Sequence, residues 1–200
     1  MADDADELDP ATGRIGDPQF ASRYRDSDDP YDLEHRWYER RKRALTVACL
    51  GREHYARVFE PGCATGLLTV ALAPRCGQLL AVDVAPGAVD RARDRLTDHG
   101  HVTVGRMAVP DEWPDGSFDL VVLSEIGYYL EPATLLRLRE LAVGALAEGG
   151  ELLAVHWRGR SRDHVLLGDE VHDMLRDDPW LRRVLWHVEE HVVIESFVRI

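Results

Sequence analysis

Two hundred residues suit one compact domain with a sizeable core and leave no room for separate cofactor and substrate lobes. A composition 45% hydrophobic and 30% charged excludes collagen-like and disordered classes. With 24 basic against 36 acidic side chains the formal net charge is −12, a field that repels polyanions and argues against nucleic acid as a partner.

The first acidic residues, Asp3, Asp4, Asp6, Glu7 and Asp9, precede the first basic one, Arg14, so positions 1–22 read as an acidic flexible tail ahead of a single domain at 23–200. From Asp32 to Leu50 the apolar positions Leu33, Trp37, Leu45 and Ala48 recur at helical spacing. They predict an amphipathic helix, a lid at about 31–50 that carries Arg36, Arg40, Arg41, Lys42 and Arg43. Beyond it, apolar bursts alternate with helical stretches, the pattern of a sheet with crossover helices. Strands are expected at Arg57–Glu60, Gln78–Val84, His101–Gly105, Phe118–Ser124 and Glu151–Trp157. Between them helices are expected at about Leu67–Ala73, from Pro86 to a stop at Gly100, and from Glu131 to Gly149 and Gly150. A helix over Asp163–Leu175 follows, and Arg183–Glu189 with His191–Ile200 alternate as a half-buried antiparallel hairpin would.

Three cysteines, Cys49, Cys63 and Cys76, form no CxxC pair, and the chain starts without a basic-then-apolar leader, which together predict reduced thiols and a cytoplasmic protein. No apolar run approaches the roughly 18 residues of a membrane span, so no membrane partner is expected. His156, His164 and His172 recur at eight-residue intervals and His187 precedes His191 by four, but the latter pair falls in a predicted hairpin, where that spacing does not bring two rings together as it would on a helix. No metal site is expected.

The first strand-to-helix turn reads Glu60-Pro61-Gly62-Cys63-Ala64-Thr65-Gly66. Small residues there let backbone approach a ligand and turn into a helix, or serve close packing alone. Asp83, at the end of the second strand, adds a carboxylate where a ribose would present two hydroxyls. Because Glu60 stands directly before the glycines, a diphosphate is disfavoured and a cationic nucleoside suits the site better. S-adenosylmethionine, with an amino group, a sulfonium, a ribose and an adenine, matches that pattern.

This turn with Asp83 resembles motif I and its acidic partner in class I S-adenosylmethionine-dependent methyltransferases, with Ala64 in place of the middle glycine. Asp29-Pro30-Tyr31, Tyr38-Glu39-Arg40-Arg41-Lys42, Leu80-Ala81-Val82-Asp83-Val84 and Ser124-Glu125-Ile126-Gly127-Tyr128-Tyr129-Leu130 resemble segments of the NodS-like (nodulation protein S) family in order and spacing. The resemblance runs from about Tyr24 to Leu175. It implies an α/β, Rossmann-like, seven-stranded and mostly parallel sheet, with helices on both faces and an antiparallel C-terminal hairpin. It also implies S-adenosylmethionine as cofactor, held by Glu60, Gly62, Cys63, Ala64, Gly66, Asp83, Val84 and Ser124. It implies further that the residue after strand three touches adenine; Arg106, Met107 and Ala108 stand there in place of the acidic residue that relatives often carry, so that backbone amides and the Met107 side chain, with Ala108, would make the contact instead. Lys42 or Arg41 is the candidate partner of the cofactor carboxylate, and Tyr24, Tyr31, Trp37 and Tyr38 would form the lid, unless Trp37 simply packs its helix onto the sheet.

For the acceptor side, Glu125 and His156, at the ends of strands four and five, are the candidate acid–base residues, and Tyr128, Tyr129 and Trp157 the water-excluding walls. Each has a plainer alternative: Glu125 fixing its loop by accepting backbone hydrogen bonds, His156 closing a strand, Tyr128 and Tyr129 packing the core. Acidic and aromatic surroundings favour methylation of an amine or aminosugar-like acceptor, with O-methylation of a hydroxylated metabolite as the alternative. A nicotinamide-dependent oxidoreductase or a non-catalytic nucleoside-binding protein are readings of other classes. The expected partner is a small-molecule acceptor, and the chain is expected to be a monomer or homodimer.

Overall fold

A computed structural model describes residues 17–200 of the chain. The helices are α1 (Asp17–Asp26), α2 (Trp37–Ala48), α3 (Leu67–Leu72), α4 (Pro86–Arg95), α5 (Pro132–Ala145) and α6 (Gly168–Arg176). The strands are β1 (Tyr55–Pro61), β2 (Cys76–Asp83), β3 (Val102–Arg106), β4 (Phe118–Ser124), β5 (Leu146–Trp157), β6 (Leu181–Val188) and β7 (Val192–Arg199). They form one sheet in the order β3-β2-β1-β4-β5-β7-β6; β1 to β5 are parallel, and β7 runs antiparallel to both β5 and β6.

Side-chain alternation explains why the inner strands are continuously apolar. On β4, Val121 and Leu123 point to one face with Leu152 and Ala154 of β5, where α5 and α6 cover them through Leu135, Leu138, Val171 and Leu175. Leu120 and Val122 point to the other face with Leu153 and Val155, under Cys49, Leu72 and Ala92 from the α2, α3 and α4 side. Two cores thus sandwich the sheet, and both faces of each inner strand are buried.

Four boundaries depart from the sequence expectations. Helix α1 takes Asp17–Asp26, so six residues of the expected tail at 1–22 are helical; positions 1–16 lie outside the described residues. The lid read as one helix at 31–50 is shorter, Trp37–Ala48, and α1 adds a second piece ahead of it. Gly149 and Gly150 do not stop α5. The helix ends at Ala145, and the glycines lie inside β5, where the pairing with β4 shifts register between Phe118 and Leu120 and Gly149 has φ +70°. Finally, α6 begins at Gly168 rather than Asp163: the Val165 and Leu166 N–H groups donate to the Tyr128 carbonyl (2.8 and 3.1 Å), and Glu170 accepts from the Leu167 N–H to open the helix there. The freed segment at 158–167 becomes a loop over the carboxyl ends of the strands. Among the described residues no helix is long and apolar enough to cross a membrane.

Candidate active site

The chain runs outward from β1 to β3 and returns to β4 on the other side of β1, so the order reverses between β1 and β4, where an open sheet leaves a crevice at its carboxyl edge. A cavity of about 790 Å³ lies there, within the usual size of ligand sites. Its floor is Gly62, Ala64, Asp83, Val84 and Ser124; Met107, Ala108 and Val109 form an apolar wall on the β3 side. Phe20, Tyr24, Tyr31, Leu33, Arg36, Trp37, Tyr38 and Glu39 come from α1, α2 and their connection. Glu125, Ile126, Tyr128, Tyr129, Leu130, Trp157, Arg160, Ser161, Asp163, His164 and His191 complete the outer end.

The β1–α3 turn is knitted to β2: the Gly62 and Cys63 N–H groups both donate to the Val82 carbonyl, at 2.7 and 2.9 Å. Gly62 (φ +74°), Ala64 (φ +49°) and Gly66 (φ +79°) take left-handed backbone, which reverses the chain within five residues. A Cβ on Gly62 would stand 2.2 Å from Ile126 Cγ2, so this glycine makes room for the β4 loop. Gly66 answers to packing: a Cβ there would meet Ala92 at 3.1 Å, and the residue does not line the cavity. Cys63 points its thiol into the core, where burial pushes it well above the ordinary range, with the Asp83 and Glu60 carboxyls adding to the shift.

Asp83 lies in the floor. Its Oδ2 accepts the Ala64 N–H and its Oδ1 the Ala85 N–H, both at 2.9 Å, which orients the carboxylate toward the turn. Burial raises its pKa, and those backbone donors hold the rise back. Glu60 is placed differently from the sequence expectation. It shares the face of Val58, is 2% exposed and does not line the cavity; among the described residues its Oε2 has no hydrogen-bond partner. Burial pushes this carboxyl up to about 8, against the pull of the Thr69 hydroxyl, so it is largely protonated at neutral pH.

The basic residues of α2 also differ from expectation. Lys42 is 5% exposed and outside the cavity wall, with Nζ 2.7 Å from Glu125 Oε2 and 2.9 Å from Glu39 Oε2. Arg41 donates to Glu189 at 2.7 Å. Neither is open to a cofactor carboxylate, whereas Arg36, from the same cluster, lines the cavity. Trp37 is 68% exposed at the rim, with the Arg41 guanidinium 5.7 Å from its ring centroid, and does not pack α2 onto the sheet. Helix α1 closes the other side. Arg23 donates to Asp163 at 2.6 Å and to the Tyr31 hydroxyl at 3.0 Å, Arg91 donates to the Tyr24 carbonyl at 3.0 Å, and Phe20 meets Tyr129 edge to face at 5.2 Å.

Glu125 lines the cavity at φ +61°. Its Oε1 accepts the Trp157 N–H at 2.6 Å while Oε2 holds Lys42, so it both fixes the loop and presents a charge. Tyr128 is buried in the wall, its phenol pushed well above the ordinary range by burial and then by the Glu125 carboxylate. His156 is not in the cavity. It lies on the face of Leu152 and Ala154 and is fully buried; its Nε2 accepts the Gly127 N–H at 3.1 Å, and Nδ1 faces His172 Nε2 at 3.1 Å. His172 Nδ1 in turn meets Glu195 at 2.7 Å. This chain runs away from the crevice into α6 and β7. Sequence reasoning weighed His164 only as a metal ligand, yet the loop ahead of α6 carries it into the cavity together with Asp163 and Arg160. A helix boundary five residues later would have exposed that placement.

The topology and cradle are those of the class I S-adenosylmethionine-dependent methyltransferase fold: an acidic residue ending β2, a tight turn after β1, and an apolar wall after β3 face one cavity. The family model described as Nodulation protein S (NodS) matches residues 15–165, and the chain belongs to that family. It is 35% identical over 140 residues to nodulation protein S of Rhizobium tropici, an alignment that covers 68% of this chain but only 58% of that protein's length. A candidate methyltransferase from Pseudomonas syringae is 44% identical with TM-score 0.73, covering 82% of this chain and all of that one. The N-methyltransferase NodS from Bradyrhizobium japonicum WM9 is 26% identical with TM-score 0.75, covering 83% of this chain and 98% of its own. In its complex with S-adenosylhomocysteine the same protein superposes with TM-score 0.81 at 24% identity, covering 91% and 97%.

Proposed function

We propose that the protein transfers a methyl group from S-adenosylmethionine to the nitrogen of a small polar amine. The observation that carries this reading is the outer end of the cavity, where the Glu125 carboxylate stands among Tyr128, Tyr129 and Trp157 in the space that also holds Asp83. A carboxylate with ring faces stabilises a cation and offers nothing to an acidic acceptor. The N-methyltransferase activity named for the Bradyrhizobium relative agrees with it.

The donor set of the floor fits the cofactor. Asp83 would accept from the ribose hydroxyls, Gly62, Ala64 and Val84 would pass close to the nucleoside, and Met107, Ala108 and Val109 would sandwich the adenine by apolar contact. Arg36 would take the carboxylate, since Lys42 and Arg41 are engaged by acidic partners. Bound there, S-adenosylmethionine supplies an electrophilic methyl on a sulfonium. What remains for the protein is to place the acceptor nitrogen in line, exclude water, and free its lone pair. Glu125 holds one geometry because both oxygens are hydrogen-bonded. It acts as a fixed negative charge against the ammonium.

Calorimetry with S-adenosylhomocysteine and NADH, followed by methyl transfer to glucosamine, ethanolamine and their hydroxyl analogues glucose and ethylene glycol, tests the proposal. Binding of S-adenosylhomocysteine alone with methylation confined to the amines is expected. Methylation of glucose or ethylene glycol but of neither amine would overturn the nitrogen assignment, and NADH binding alone would overturn the whole reading.

A further inference from the structure

An amine is protonated near neutral pH, so it must lose a proton before its lone pair can meet the methyl. The obvious carboxylate, Glu125, has both oxygens committed to Lys42 and the Trp157 N–H. His156 is sealed in the core with both ring nitrogens engaged. His164 differs from both. It lines the cavity at 9% exposure, no hydrogen bond among the described residues engages its ring, and Nδ1 is buried without a partner. A nine-tenths-buried polar ring left unpaired in a cavity wall needs an explanation.

Three aromatic neighbours hold that ring. Tyr128 stacks on it with centroids 3.8 Å apart and planes at 18°, Tyr129 meets it edge-on at 5.3 Å, and Trp157 does so at 5.9 Å. The backbone fixes the position further: the His164 N–H donates to the Ser161 carbonyl at 3.3 Å, and the next two N–H groups donate to the Tyr128 carbonyl. With Nδ1 sealed, Nε2 is the nitrogen left to meet a ligand.

We propose that His164 is the catalytic residue that takes the proton from the acceptor amine, a role that rests on the N-methylation reading. The ammonium proton passes to His164 Nε2, and the freed lone pair forms the N–C bond as the S–C bond breaks, its electron pair staying on sulfur. The positive charge passes from sulfur to the methylated nitrogen, which becomes cationic again beside Glu125. Charged and titratable neighbours set the ring's readiness. Burial lowers its pKa first, Glu125 and Asp163 pull it back up, and Arg160 pushes it down. The uncharged phenols of Tyr128 and Tyr129 flank it, and the net lowering leaves the imidazole neutral at pH 7, with a lone pair free to take a proton.

The test uses the full chain and glucosamine or ethanolamine, whichever wild type methylates faster. His164→Phe keeps the stacking on Tyr128 but has no lone pair; His164→Asn is smaller, polar and equally unable to act as a base. Both should bind S-adenosylhomocysteine within threefold of wild type and melt as folded proteins, yet lose about 10²-fold or more in kcat at pH 7.5. The wild-type plateau should give way to a rate rising about tenfold per pH unit, following the free amine. Independently of turnover, the His164 ring-carbon resonance should titrate below the free-histidine range and shift when the amine joins the S-adenosylhomocysteine complex. Either folded variant keeping kcat within threefold with an unchanged pH profile, or a ring resonance insensitive to the amine, overturns the proposal. Failure of wild type to methylate any amine while still binding the cofactor overturns the nitrogen reading, and the role of His164 with it.

Discussion

Lys42→Met separates a structural from a cofactor-binding role for the basic residue that sequence reasoning favoured. The ammonium stands between Glu39 and Glu125 at 5% exposure, so its removal leaves two carboxylates facing one another without a cation. Breaking a buried ion pair from one side costs about 3 to 5 kcal/mol; Glu125 is 26% exposed, which places this case in the lower part, about 3 to 4 kcal/mol. In a domain of this size that lowers Tm by roughly 6 to 16 °C. The Lys42 pKa is net raised: burial lowers it, but Glu125 and Glu39 more than offset that. Its contribution to stability is therefore complete below the unfolded value near 10.4 and disappears as pH rises through the higher folded value, an alkaline limb that the variant lacks. Thermal melts, paired with calorimetry against S-adenosylhomocysteine, read both quantities. A large drop in Tm with Kd within threefold is expected. An unchanged Tm with Kd weakened tenfold would refute the reasoning and return Lys42 to the cofactor carboxylate.

Three further outcomes follow from the cradle. Gly62→Ala combines left-handed backbone, about 1 to 2 kcal/mol for an L-residue, with overpacking on Ile126, about 1 to 3 kcal/mol, and urea unfolding should show the sum. Adding Ile126→Ala should return only the steric part, and a Gly62→Ala protein as stable as wild type would contradict the turn. Asp83→Asn removes a charged acceptor and sets an amide against the Ala64 or Ala85 N–H, so cofactor affinity should fall by about 1.5 to 3 kcal/mol, or roughly 10- to 150-fold in Kd. Calorimetry showing Kd within threefold would remove it from the ribose. For Glu60, a folded pKa near 8 against an ordinary value near 4.5 means that the native state binds the extra proton. Stability should decline from about pH 4.5 to pH 8, and Glu60→Gln should flatten that slope in urea titrations at several pH values. A wild-type slope of opposite sign would show the carboxylate to be ionised in the fold.

The sequence made the floor of the site readable because each floor feature is local. A turn with alternating small residues, one acidic residue at a strand end and an apolar run after β3 need only chain order to be placed. The outer end depends on orientation, and there the reading by strand ends alone misled. Nearness to a carboxyl end points His156 toward the crevice, but strand parity decides it: His156 shares a face with Leu152 and Ala154, and that face packs under α6, where His172 waits. Glu60 follows the same rule, two residues from Val58 on the face that α3 covers. Parity was available in the residues, so both placements were legible in principle. His164 was not, since a helical pattern over Asp163–Leu175 is apolar at the right intervals. What keeps 163–167 out of the helix is the Tyr128 carbonyl, 37 residues upstream of Val165, accepting two N–H groups that the helix would otherwise use. Lys42 was hidden for the same reason: its partner Glu125 lies 83 residues away, and only the fold brings that carboxylate within reach before any ligand can claim the ammonium.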